Sequence, residues 1–135
     1  MSYFKNIQIA LDSYLDTFVT TVSIAWENTT YTPTVGTPYL RPTLLIGPAS
    51  LMQLGNDEQM NNGIYQIDAF YPLENGNKDI LEMLDALYDH FKLDTTLTSG
   101  GTTVYIKEIS RISPVEIMEA WCKASIEINF RCYNN

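Results

Sequence analysis

From Cys122 to Cys132 the chain alternates without a break. Cys122, Ala124, Ile126, Ile128, Phe130 and Cys132 point one way, and Lys123, Ser125, Glu127, Asn129 and Arg131 the other. A period of two held over eleven residues describes a β-strand with one apolar and one polar face. It is longer than an ordinary strand. The sequence therefore predicts that it spans a sheet and projects past it. One face of that sheet must be covered, which calls for helices or a second sheet.

Helical periodicity supplies the cover. Phe4, Ile7, Leu11, Leu15 and Phe18 recur at spacings of three and four and predict a helix over 2–18, with Asp12, Ser13 and Asp16 on its outer side. Ile80, Leu84, Leu87 and Phe91, widened by Met83 and Tyr88, predict a second helix over 77–92. Asn77 suits its N-cap, Asp79 its first turn, and His90 and Lys92 its last turn.

Between and after the helices the pattern is β-rich. The β-rich stretch from Thr17 to Val22 is expected to open a first strand that runs to about Trp26, and further strands are expected from Tyr39 to Ile46, Gly63 to Tyr71, Thr95 to Thr98 and Thr102 to Ile112. Pro42 removes a backbone donor, so its strand should be an edge strand or carry a bulge. The stretch from Gly47 to Asn62 has no clean period and reads as a long loop or as the far arms of a hairpin. The whole is α+β: a mostly antiparallel sheet with two main helices packed on one face. A length of 135 residues with no linker or repeat fits one domain, 1–135.

Composition narrows the function. Sixteen acidic residues against eight basic give a net charge of -8, unsuited to a general nucleic-acid binder. No apolar run is long enough to cross a bilayer as a helix, and Met1 to Lys5 lacks the cationic opening of a secretory signal. Cys122 and Cys132 lie about 33 Å apart on an extended strand, too far to bridge, and read as small buried apolar residues.

Chemistry is hard to find. The one histidine, His90, has no cysteine or histidine at ligand spacing and suits a helix terminus better than a metal site. Asp79, Glu82, Asp85 and Asp89 read as the solvated face of a helix before they read as an acid–base pair or cation site. No nucleophile or phosphate-loop motif occurs, and Gly100-Gly101 is a turn with no helix after it. Neither an enzyme, a metal nor a cofactor is expected. Nine tyrosines, among them Tyr31, Tyr39, Tyr65 and Tyr71, suit either an interface or an aromatic core.

One ordered set of residues stands out. Trp26-Glu27-Asn28 is followed by Thr32-Pro33, by Tyr39-Leu40-Arg41, and by Gly63-Ile64-Tyr65-Gln66-Ile67. Pro72, an acidic helix ending at Phe91, and Trp121 at the head of the alternating strand complete it. Over nearly the whole chain this set resembles the small phage and prophage proteins related to the tail terminators of long-tailed phages. Within it Trp26, Asn28, Pro33, Arg41, Gly63, Tyr65 and Trp121 are the structural positions.

The resemblance implies a small sheet flanked by helices and a non-enzymatic role. It implies a ring of copies of the chain, a hexamer, made in the bacterial cytoplasm and carried in the virion tail. Such a ring caps the major tail tube protein, ends tail polymerisation, and offers a surface to the head completion or connector protein. DNA only passes through its lumen, which an acidic wall would suit, and no membrane is involved. The apolar Leu51, Met52, Leu54 and Met60, with Asp57 and Glu58, are then expected to form the loop that contacts the tube or a neighbouring copy. Two alternatives remain: a head–tail connector or neck protein, and a small α+β ligand-binding domain or enzyme.

Overall fold

A computed structural model describes residues 3–18, 22–51, 59–74, 76–93, 95–111 and 114–134. Helix α1 (Tyr3–Asp16) leads into the short β1 (Ser23–Ile24). Strands β2 (Tyr39–Leu51) and β3 (Gln59–Pro72) precede helix α2 (Lys78–His90). Strands β4 (Thr96–Ser99), β5 (Thr102–Arg111), β6 (Glu116–Met118) and β7 (Trp121–Asn134) complete the chain. The seven described strands form one mixed, mostly antiparallel sheet in the order β1-β2-β3-β7-β5-β4, with β6 also paired to β7. The fold is α+β.

The alternating strand lies inside the sheet and does not project past it. All of β7, from Trp121 to Asn134, pairs with β3 along one edge. Along the other it pairs with β5 and, at its start, with β6. A strand this long is stable here because neighbours satisfy its backbone groups on both sides.

Its apolar side chains lie with Leu40, Tyr65, Ile67, Ala69, Val104 and Ile106 against the two helices. From α1 come Ile7, Leu11 and Leu15, and from α2 Ile80, Leu84 and Leu87, with Phe91 just beyond its end. Two members of the predicted stripes are exposed: Phe4, 60% accessible on the opening turn of α1, and Tyr88, 48% accessible on α2. Both fall at the margin of the apolar stripe, where the sheet no longer covers it. Cys122 and Cys132 are buried, as expected of small apolar residues.

Two local expectations need correction, and a third is decided between its alternatives. The chain at Thr17 and Phe18 still closes the last turn of α1, with both backbone amides bonded back to Tyr14 and Leu15. The first strand is accordingly only Ser23–Ile24, and it runs parallel to β2. Asn77 stands at the N-cap of α2, but its side chain makes no capping bond there. The stretch from Gly47 to Asn62 consists mostly of hairpin arms, paired as far as Leu51 and Gln59, with a register shift between Ile46 and Ala49 at Gly47-Pro48.

Gly63 faces Phe130 across the β3–β7 ladder. A Cβ at position 63 would overlap the Phe130 ring and the Leu45 carbonyl oxygen. Glycine is needed here because an aromatic ring lies over its bare backbone. A second contact ties helix to sheet. The buried Tyr65 hydroxyl donates to Asp12 Oδ1 at 2.5 Å. Burial lifts the Asp12 carboxyl above its ordinary value, opposed by hydrogen bonds from Tyr65 and Gln8. Burial and the Asp12 charge push the Tyr65 phenol far up, so it remains a donor.

Two outcomes are expected in denaturant unfolding. Gly63→Ala destabilises by about 1–3 kcal/mol. Combined with Phe130→Leu it costs less than the sum of the single changes, because the overlap is shared; additive costs would mean that the ring does not restrict position 63. Tyr65→Phe costs about 1.5–3 kcal/mol at neutral pH, where the lost bond is to a carboxylate. A carboxyl raised by folding favours the protonated fold, a contribution full at low pH and lost as pH rises through its raised value. The Tyr65→Phe deficit should therefore shrink as pH falls through that value, and a pH-independent deficit would contradict the charged bond.

Candidate assembly surfaces

The side of the sheet away from the helices has two parts. At one end the segment leading from β1 to β2 folds over it. Tyr39 stacks on Phe70 with ring centres 4.5 Å apart. Trp121 meets Tyr39 edge-on at 5.3 Å, and Tyr31 lies 5.1 Å from the same ring. These rings form a second, smaller apolar cluster with Ala25. The tyrosines therefore divide: Tyr39 and Tyr65 are buried, while Tyr31 and Tyr71 are half-buried.

Beside this cluster Asp68 is buried at 3% exposure. Its Oδ1 accepts from Ser125 Oγ at 2.5 Å and from Gln66 Nε2 at 2.9 Å. Its Oδ2 meets Arg41 Nη2 at 3.3 Å. The Arg41 guanidinium also lies 4.9 Å from the centre of the Phe70 ring. Burying a carboxyl group without such partners is costly. No sequence pattern announces this network, because Arg41, Asp68 and Ser125 lie far apart in the chain.

Four of the pattern residues come together here. Trp26, Asn28, Pro33 and Arg41 line one groove of about 300 Å³. Asn28 is held at φ 55°, in the left-handed region that asparagine tolerates. Trp121 lies beside them, edge-on to Tyr39, which lines the same groove. Gly63 and Tyr65 belong to the helix-covered side, where one accepts a ring over its backbone and the other binds Asp12.

The same segment guards the sheet edge. Leu40 accepts from the Ala25 amide at 2.7 Å, which shows that alternate residues of β2 direct their backbone groups outward. Next in that row is Pro42, which has no donor. Leu44 follows, and its N–H donates to Glu27 Oε1 at 2.7 Å. An edge treated this way resists pairing with another strand. Past the two-residue β1 the strand is an edge at Pro42, and its outward row there is closed to pairing.

Of the expected contact loop, Met60 is half-buried in β3 and Leu51 ends β2. Met52, Leu54, Asp57 and Glu58 lie outside the described residues.

His90 is bound at the helix ends. Its Nε2 is 2.8 Å from the Tyr14 carbonyl oxygen, while the Tyr14 hydroxyl donates to the His90 carbonyl at 2.7 Å. The two rings stack at 4.3 Å. This reciprocal clasp satisfies carbonyls that helix ends leave open. Among the described residues no group of three or more His, Cys, Asp or Glu side chains could hold a metal ion, and no helix is long and apolar enough to cross a membrane.

A family model described as phage tail terminator protein matches residues 6–130. No curated protein matches the sequence. Among the solved structures that match, one has a TM-score of 0.73 at 21% identity and covers 96% of this chain and 93% of its own. At that identity the likeness speaks for the fold.

Arg41→Ala should destabilise the protein by about 1–3 kcal/mol in denaturant unfolding, because it leaves Asp68 with one partner fewer and uncovers Phe70. Arg41→Lys should recover only part of the loss, since an ammonium cannot reproduce a planar guanidinium that serves both groups. Full recovery by lysine would mean that charge alone matters at this position.

Proposed function

The chain belongs to the phage tail terminator family, and from that membership we propose that copies of it close into a ring, a hexamer, on the last ring of the tail tube. The family is structural and non-enzymatic, a component of the phage tail associated with the tail tube. The observation that carries the proposal is the extent of the match, which takes in residues 6–130 of 135. In this reading the ring ends tube growth and presents its far side to the head connector protein. It is assembled in the host cytoplasm and leaves in the virion tail.

Several features support the reading. A cap must be recognised by side chains while its strand edges stay closed to indefinite addition. The proline and the Glu27 carboxylate on the outward row of β2 meet that need. Large apolar side chains stand exposed at separate places, among them Val35 and Ile117, accessible at 80% and 78%. An assembly that touches more than one partner needs more than one such patch. The segment from Leu51 to Met60, with Leu51, Met52, Leu54, Asp57, Glu58 and Met60, is our choice for the contact with the tube or a neighbouring copy. The net charge of -8 suits a lumen that DNA traverses without adhering.

Light scattering coupled to size exclusion, run alone and with purified tail tubes, tests the proposal. The expected result is a mass near six chains, in free solution or at the tube ends, with tubes that no longer elongate. A chain that stays monomeric and leaves tube growth unchanged would overturn it. A ring that binds the connector but leaves tube growth unchanged would favour the neck protein reading.

A further inference from the structure

The two sides of the sheet carry surfaces of opposite character. Beyond the aromatic cluster, the side without helices has an open groove of about 520 Å³ crossing β2, β3, β7 and β5. Leu45, 51% exposed, and the half-buried Ile64 give it an apolar lining. Its charged lining residues are Lys107 and Arg131, both cationic, in a chain with twice as many acids as bases. Glu127 and Glu108 lie beside it on the same side of the sheet.

On the opposite layer a cleft of about 380 Å³ runs between α2 and β5. Asp85 is its charged lining residue, and Tyr88 stands up at its rim, 48% exposed. Glu82 and Asp89 are exposed on the same helix. A half-exposed tyrosine between carboxylates is an anchor without a pocket. The cationic groove is a pocket without an anchor.

We propose that the Tyr88 edge of α2 in one copy docks into the Leu45–Ile64 groove of the next, with Asp85 and Asp89 facing Lys107 and Arg131. The inference rests on the reading that the chain assembles with itself, and it names the surfaces that meet. Tyrosine suits the centre of such a contact because it buries a large apolar area and keeps a polar tip. The flanking unlike charges orient the approach and disfavour groove-to-groove or helix-to-helix pairing, in which like charges would meet. Because the two surfaces differ, the contact is heterologous. Each added copy leaves one groove and one helix edge open until rotation closes a ring. Docking also gives the sheet a helix layer on its second side, so that its apolar positions are covered from both sides.

Charge exchange tests this. Lys107→Glu alters only the groove and Asp85→Lys only the helix edge, and both residues are exposed. Unchanged thermal unfolding would show that each variant folds. Assembly is read by light scattering over a concentration series, alone and with tail tubes. Each variant alone should need a concentration at least about tenfold higher than wild type to assemble. An equal mixture should regain most of that loss, because native and exchanged contacts can alternate around a ring.

Wild-type assembly that both variants match would overturn the docking while leaving self-assembly intact. Two impaired variants that do not rescue each other would overturn the pairing of these surfaces. A wild-type chain that never assembles, with or without tubes, would overturn the self-assembly reading and this inference with it.

Discussion

Strand β7 is hydrogen-bonded along both edges, to β3 through its whole length and to β5 and β6 on the other side. This double ladder fixes the register of the sheet. A slip of one residue would turn Cys122, Ala124, Ile126, Ile128, Phe130 and Cys132 out of the core and bring Lys123, Glu127 and Arg131 into it. Two further contacts hold only in the native register: the Phe130 ring over Gly63, and the Tyr65 hydroxyl on Asp12. The first needs facing residues on β3 and β7, and the second needs α1 seated over β3. The placement of the helices thus depends on the pairing of the central strands.

The architecture leaves the two sides of the sheet unequal. Helices cover one side and bury its apolar row. The other is part aromatic cluster, part hydrogen-bonded carboxylate and part open groove. A bare sheet side is ordinary in antiparallel structures when it is polar. Here it combines apolar Leu45 and Ile64 with cations in an acidic chain, while the helix layer presents acids and an exposed tyrosine. The closed outward row of β2 adds a second constraint, because it leaves side chains as the surface offered along that edge. In the ring proposed above, an assembly built from side-chain faces ends where its geometry closes.

Much of this was legible in the sequence. The stripes Ile7, Leu11, Leu15 and Ile80, Leu84, Leu87 announced two helices. The alternation after Trp121 announced the main strand, and Pro42 announced an edge. Each signal is a local period or a local loss of a donor, so neighbours in the chain suffice to reveal it. Trp26, Asn28, Pro33 and Arg41, picked out as an ordered set, do share one groove. The Asp68 network, the Glu27 cap on Leu44 and the clasp between His90 and Tyr14 were not legible. Their members are brought together by chain reversals whose direction no period encodes. The strand expected from Thr17 failed because a helix end close to β-branched residues can close one more turn when its carbonyls find donors.

By itself the sequence determined the α+β class, the two helices, the alternating strand with its buried cysteines, and a pattern that resembles the tail terminators. These follow from periodicity, from side-chain volume and from the order of recognisable residues along one chain. Only the tertiary structure decided that the alternating strand lies inside the sheet, that the β2 edge is closed, and that a cationic groove and an acidic tyrosine edge stand on opposite layers. Those facts depend on which strands pair and on which side of the sheet each helix lands. Both are set by long-range hydrogen bonding and burial, which residues far apart in the chain satisfy together.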